Sequence, residues 1–269
     1  MVPCLYWMNC NILSSIERQD GGTMRNIKMT LEYDGGRYQG YQRLGKDEET
    51  NTIENKLVEI IRQMTGEKVE LNCGSRTEAG VHARGQVVNF KTNTDMKVYE
   101  IKHYFNRYLP KDIAVYEVEE VGERFHASLN AKSRVYSYRI IQGEVPSVFD
   151  RKTSYYCFGE LDIAAMKQAA KQLIGKHDFK NFSTVKKSKS TEKTITALDI
   201  YSDRREVEIR ITANDFLHNM ARLVVGTLIE IGKGNRHPDS ITNILEGIEP
   251  VSAPAEKQGL FLEEVKYKA

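Results

Sequence analysis

Gly74-Ser75-Arg76-Thr77-Glu78-Ala79-Gly80-Val81-His82-Ala83-Arg84-Gly85-Gln86-Val87-Val88-Asn89-Phe90 is the stretch on which the reading of this chain turns. Upstream of it, Val69, Leu71 and Cys73 alternate with polar residues as a half-buried strand does. Downstream, Val88 and Phe90 resume the same period, so a third strand is expected from Gln86 to Lys91. The segment between reads as a loop punctuated by Gly74, Gly80 and Gly85, residues that let a backbone take positive φ or approach a neighbour closely. Inside it sit Arg76, Glu78, His82 and Arg84. A polar, ionisable loop held between buried strands is a common seat of function. The plainer alternative is a hairpin loop whose charges face water.

Working outward, Ile27, Met29, Leu31 and Tyr33 alternate as a first strand, and Asp34-Gly35-Gly36 ends it in a turn. Ile53, Leu57, Ile60, Ile61 and Met64 recur at helical spacing, with Asn51 as the expected cap, Glu54 as its reciprocal partner and Gly66 as the stop. Val98 to Tyr108 is a second helix that Pro110 prevents from continuing, and Ile113 to Val118 is a fourth strand. This β-α-β-β-α-β order is the ferredoxin-like arrangement. A second pass follows. It has a strand from Arg134 to Ile141, a helix opened by Leu161-Asp162 with Gly175 as its C′ residue, and paired strands at Thr194–Tyr201 and Glu206–Thr212. A helix from about Leu217 to Ile231, a short helix near Ser240–Leu245 and a last strand at Leu260–Tyr267 complete it. The expected class is α+β, with two ferredoxin-like halves of mostly antiparallel sheet. The divisions expected are 1–23, an extension unlike the rest and expected to be disordered; 24–131, which carries the signature loop; and 132–269.

Composition sets bounds. The chain has 269 residues, 40% hydrophobic and 28% charged, as in a globular protein with ample core. A net charge of +2 does not point to nucleic acid by itself, so any RNA surface must be a local patch. Cys4, Cys10, Cys73 and Cys157 show no metal spacing, and the six histidines are scattered without paired acid or cysteine, so no metal is expected. Free thiols fit a reduced, cytoplasmic setting. No apolar run approaches the length of a membrane span, so no membrane association is expected.

Arg76-Thr77-Glu78-Ala79-Gly80-Val81-His82-Ala83, followed by Gly85-Gln86-Val87-Val88, closely resembles the signature of the tRNA pseudouridine synthase A family. Leu109-Pro110, Asp112-Ile113-Ala114-Val115, His177-Asp178-Phe179 and Gly259-Leu260-Phe261-Leu262 are further matching words, and the resemblance runs from about Met24 to the C-terminus. It departs where Glu78 stands for the family's catalytic aspartate and where Tyr41 stands for a tryptophan. The resemblance implies isomerisation of uridine to pseudouridine in tRNA, in the anticodon stem-loop, by a homodimer without cofactor. It makes Glu78 the carboxylate, Tyr136 the aromatic residue beside the target uracil, and Arg76 and Arg222 the electrostatic partners of the acid. Without it, Tyr136 and Tyr138 are tyrosines packed on a sheet and Arg222 flanks a core helix.

For RNA contact the candidates are Lys186, Lys187 and Lys189, in a loop matching one that contacts tRNA in the family, and Phe125-His126, which match another such segment. Arg37 and Arg84, with Arg43 and Arg107, add basic charge; residues of this kind position an RNA without reading its sequence. A solvated lysine loop is the plainer reading of the first group. Two functions fit the words: an active synthase using Glu78, and a catalytically impaired tRNA-binding paralogue that remodels or protects RNA. An unrelated RNA-recognition module would fit the element order, but it should carry aromatic-rich motifs on its central strands.

Overall fold

A computed structural model describes residues 24–42, 50–184 and 190–267. The expected N-terminal extension, Arg43 and the lysines at 186, 187 and 189 lie outside these. The first half holds β1 (Arg25–Tyr33), α1 (Ile53–Thr65), β2 (Asn72–Cys73), β3 (His82–Thr92), α2 (Val98–Tyr108) and β4 (Ile113–Val121). The second holds β5 (Ser133–Gly143), β6 (Tyr155–Phe158), α3 (Ile163–Lys171), β7 (Gly175–Asp178), β8 (Glu192–Asp203), β9 (Glu206–Ala213), α4 (Met220–Gly232), α5 (Ser240–Glu246) and β10 (Leu260–Lys266).

All the strands belong to one mostly antiparallel sheet, ordered β4-β1-β3-β10-β5-β9-β8-β7, with β2 on β3 and β6 on β5. Each half shows the same ferredoxin-like order: β4-β1-β3-β2 in the first, β10-β5-β9-β8 in the second. The architecture is therefore α+β, built as the period-two and helical patterns require. On β1, Ile27 and Met29 face across to Phe90 and Val88 of β3, and all four side chains are buried. The inner faces of α1 (Ile53, Leu57, Ile60, Ile61) and α2 (Ile101, Phe105) close over the same core.

The two halves meet where β10 enters the first half's edge. The β3 edge is shared: β2 pairs with Val88 and Asn89, whereas β10 pairs, in parallel, with His82 and Ala83. The expected strand Val69–Cys73 loses its first three residues and is only Asn72–Cys73. Beyond Cys73 the edge of β3 is taken, so the chain must leave the sheet, and residues 74–81 form the loop at the seam.

Other expectations are corrected. The third strand begins at His82, so His82, Arg84 and Gly85 lie on a strand and not in the loop. Gly85 is needed there because a Cβ would lie 2.2 Å from the Glu263 carbonyl oxygen on β10. The cap of α1 is Thr52, whose hydroxyl accepts from the Asn55 N–H, while the Asn51 amide donates to the Arg37 carbonyl. Helix α3 stops at Gln172, and Gly175, with φ +114°, opens β7 instead of ending the helix. Helix α4 begins at Met220 because Asn219 is left-handed, with φ +61°. The short strands β6 and β7 were not expected; tertiary pairing with β5 and β8, not local pattern, makes them.

Candidate active site

The loop 74–81 is fixed from below by a buried side chain. Gln86, fully buried on β3, accepts from the Ser75 N–H at 3.2 Å and donates to the Ser75 carbonyl at 2.6 Å. Its amide also donates to the Tyr33 hydroxyl at 3.2 Å, and that hydroxyl lies 2.7 Å from the Thr77 Oγ1. An amide buried with its partners in place rigidifies what it touches. From the side, the Tyr41 N–H donates to the Thr77 carbonyl at 3.0 Å, and the Gly80 N–H to the Tyr38 carbonyl at 3.3 Å. Gly40, with φ +103°, allows this approach: a Cβ there would lie 3.1 Å from the Thr77 carbonyl oxygen.

Held in this way, Glu78 reaches the second half. Its Oε2 accepts from the Arg222 Nη1 at 2.9 Å and its Oε1 from the Asn219 backbone N–H at 2.7 Å. Arg222 is in turn aimed by its Nε, which donates to the Ala255 carbonyl at 2.7 Å. The acid thus sits at the N-terminus of α4, where unpaired N–H groups and the helix dipole favour a negative charge. Both partners are largely buried, at 22% and 12% side-chain exposure, so water screens the pair only in part.

Glu78 lines a cleft of about 690 Å³ together with Ser75, Arg134, Tyr136, Phe216 and Leu260. That volume suits a small organic group such as a nucleobase with part of its backbone. Tyr136 packs edge-on against Phe216 at 4.9 Å, and its hydroxyl lies 2.9 Å from the Ser75 Oγ. Burial, partly offset by that hydrogen bond and reinforced by the Glu78 charge, holds the Tyr136 hydroxyl well above the ordinary tyrosine value. It remains a neutral phenol, able to donate a hydrogen bond at any physiological pH.

Arg76 also lines the cleft but stands exposed, and among the described residues no ion pair joins it to Glu78; its charge acts on the nearby Cys73 thiol. Burial pushes that thiol up to about 12, so Cys73 stays protonated. Phe125 packs on Tyr267 at 5.2 Å, and the His126 Nδ1 accepts from the Ser128 and Leu129 N–H groups; Ser128 itself borders the cleft.

Arg37 and Arg84 are not brought to this cleft. Arg37 forks onto Asp112, and Arg84 pairs with Glu263 at 3.0 Å and stacks over Phe261. Arg84 and Asp112 border a smaller recess floored by His82. His82 is buried, stacks on Phe261 at 4.7 Å, accepts from the Gly35 N–H through Nδ1 and donates through Nε2 to the Lys152 carbonyl. Burial lowers its pKa, against the opposing effect of Asp34 3.0 Å away.

Two site residues escape sequence reasoning. Arg134 is buried and donates to the carbonyls of Gly74, Asn214 and Ser128, tying three cleft walls together. Its only sequence signal is a charged residue at the start of an apolar strand. The other is Asn219, an Asn directly before an apolar helix. Among the described residues, no cluster of three or more His, Cys, Asp or Glu side chains is arranged to hold a metal ion, and no helix is long and apolar enough to cross a membrane.

Comparison with known proteins adds an independent line. A protein called tRNA pseudouridine synthase A 2 from Bacillus cereus is 43% identical over 247 residues, which cover 91% of this chain and 100% of that protein. One from Clostridium perfringens with the same name is 41% identical over 250 residues, 91% of this chain and 100% of that protein. A tRNA pseudouridine synthase A 1 from Clostridium tetani is 43% identical over 250 residues, with the same coverage of each. Residues 29–129 and 169–268 match a family described as tRNA pseudouridine synthase. With its signature acid at the seam of two ferredoxin-like halves, this chain belongs to the tRNA pseudouridine synthase family.

Proposed function

We propose that this chain isomerises uridine to pseudouridine in tRNA, with Glu78 as the reacting carboxylate. The observation that carries the reading is the Glu78 carboxylate, held by Arg222 and the Asn219 N–H, in one cleft with Tyr136. The reaction breaks C1′–N1, turns the base, and joins C5 to C1′; the C5 proton is lost and N1 gains one, so no redox partner is required. A carboxylate aimed by a guanidinium and a backbone N–H at a helix N-terminus suits attack on C1′ or stabilisation of the separated sugar cation. The target base must leave its stack to enter the cleft. The Tyr136 ring gives the extruded base a face to pack on, worth roughly 1–3 kcal/mol by the magnitudes known for stacking. Its hydroxyl, kept protonated, donates a hydrogen bond or passes a proton and does not act as a free base.

Arg76, exposed at the cleft mouth without a carboxylate partner among the described residues, is free to meet a phosphate. Lys186, Lys187 and Lys189, with Phe125 and His126, are assigned to RNA contact on the family words in the sequence alone. On the same ground the target is placed in the anticodon stem-loop, the working form is a homodimer and the compartment is the cytoplasm. The test is incubation of the purified protein with tRNA transcripts and mapping of pseudouridine, with Glu78→Gln alongside. Formation of pseudouridine at one site by the wild type and none by the variant, at unchanged tRNA affinity, is the expected result. A wild type that binds tRNA but forms no pseudouridine would make the chain a tRNA-binding protein instead.

A further inference from the structure

We infer that Asn219 is a positioning residue for the Glu78 carboxylate, acting through its backbone and its side chain together. Its φ of +61° is left-handed, a region that costs a non-glycine residue free energy and persists where surrounding contacts impose it. Asn is one of the few residues that tolerate it. That conformation turns the backbone N–H onto the Glu78 Oε1 at 2.7 Å. The side-chain Oδ1 accepts at 3.0 Å from the Arg222 Nη1, the same nitrogen that donates to the Glu78 Oε2 at 2.9 Å. The side-chain Nδ2 donates at 2.9 Å to the Thr184 Oγ1.

One residue therefore grips both members of the ion pair and fastens them to the chain at Thr184. Each contact constrains a different freedom. The N–H sets how far Glu78 reaches, Oδ1 sets the plane of the guanidinium, and Nδ2 keeps the amide from rotating so that Oδ1 faces Arg222. Without the amide, the Arg222 Nη1 keeps only Glu78 as a partner, and the carboxylate and guanidinium can swing together toward the cleft.

The inference rests on the reading that Glu78 is the reacting group, and the experiment separates the two. Asn219→Gly retains the N–H and adopts positive φ without strain, so the fold is expected to survive; only the amide is lost. Single-turnover rate and KM for a tRNA transcript are measured for wild type, Asn219→Gly, Thr184→Val and Glu78→Gln. Asn219→Gly is expected to lose about tenfold in rate, part of the roughly 100-fold that a 1 Å misplacement costs, with KM within about twofold. Thr184→Val should lose less, in the same direction. Melting temperature gives a readout independent of turnover: Asn219→Gly should lower it less in a Glu78→Gln background than in the wild type, because the carboxylate it braces has gone. A rate within about twofold of wild type for Asn219→Gly, or a raised KM at unchanged rate, overturns the inference. A Glu78→Gln protein that keeps the wild-type rate overturns the reading beneath it instead.

Discussion

Shortening Glu78 by one methylene tests the site's geometry most directly. Its carboxylate oxygens lie 2.7 Å from the Asn219 nitrogen and 2.9 Å from the Arg222 Nη1. Glu78→Asp withdraws the carboxylate by roughly 1.5 Å, one carbon–carbon bond, which leaves both contacts at about 4 Å if the backbone stays in place. That exceeds the hydrogen-bond limit. The backbone has little freedom to follow. Thr77 is bonded to Tyr33 and Tyr41, Gly80 to Tyr38, and a Cβ on Gly40 would lie 3.3 Å from the Glu78 carbonyl carbon. A hydrogen bond to a charged group contributes about 1.5–3 kcal/mol, so if Glu78 is the reacting carboxylate proposed above, loss of one such contact is worth roughly tenfold to 100-fold in rate. Glu78→Asp is therefore expected to convert a tRNA transcript on the order of 100-fold more slowly in single-turnover chromatographic assays of pseudouridine, with tRNA affinity unchanged. An Asp variant as fast as the wild type, or faster, would refute the argument that the anchored loop is built for the longer side chain.

Three further outcomes are expected. His82 has a lowered pKa in the fold, so its neutral ring is the form the structure accepts. The stability it supports is fully present above the ordinary value of 6.5 and is lost as pH falls through the folded value; melting temperature should drop more steeply below that point in the wild type than in His82→Gln, and equal slopes would count against the assignment. The Tyr136 hydroxyl, its pKa raised by burial, should contribute no limb to the rate profile between neutrality and mild alkali; a limb in that range that disappears in Tyr136→Phe would show a phenolate at work. Alanine at Lys186, Lys187 and Lys189 together should weaken binding of every tRNA and flatten its salt dependence by about two units of slope, by the usual increment per phosphate neutralised. Arg37→Ala and Arg84→Ala, whose charges are already matched by Asp112 and Glu263, should change affinity far less, and a loss equal to that of the lysines would reverse this ranking.

Much of the fold is legible in the sequence because apolar periodicity follows burial. Ile27, Met29 and Leu31 alternate because one face of β1 meets the core, and Leu57, Ile60 and Ile61 repeat because one side of α1 does. What is not legible depends on distant partners. Nothing local in Leu260–Lys266 says that it will take the edge of β3, and so nothing says that His82 and Arg84 will be strand residues. The meeting of Glu78 with Arg222, 144 residues apart, is readable only through family words. Arg37 and Arg84 illustrate the opposite difficulty: a basic residue in a sequence carries no sign of the carboxylate that will neutralise it. Asn219 is hidden because left-handed backbone at a helix entrance has no pattern beyond the residue type.

The seam between the halves also sets a schedule. Arg84 meets Glu263 across 179 positions, and β10, the strand that joins the halves, is the last strand in the chain. During synthesis the first half can complete β1, β3 and β4 early, yet the edge of β3 at His82 and Ala83 stays bare until β10 has emerged. The loop bearing Glu78 can meet Asn219 and Arg222 only after these, 141 and 144 residues later in the chain, have been made. Contacts of such long sequence separation are slow to form, and an unpaired central strand edge is exposed to other chains while it waits. A nascent chain stalled before β10 would thus hold Glu78 beside an unfinished sheet, so assembly of the cleft reports that the whole sheet has closed.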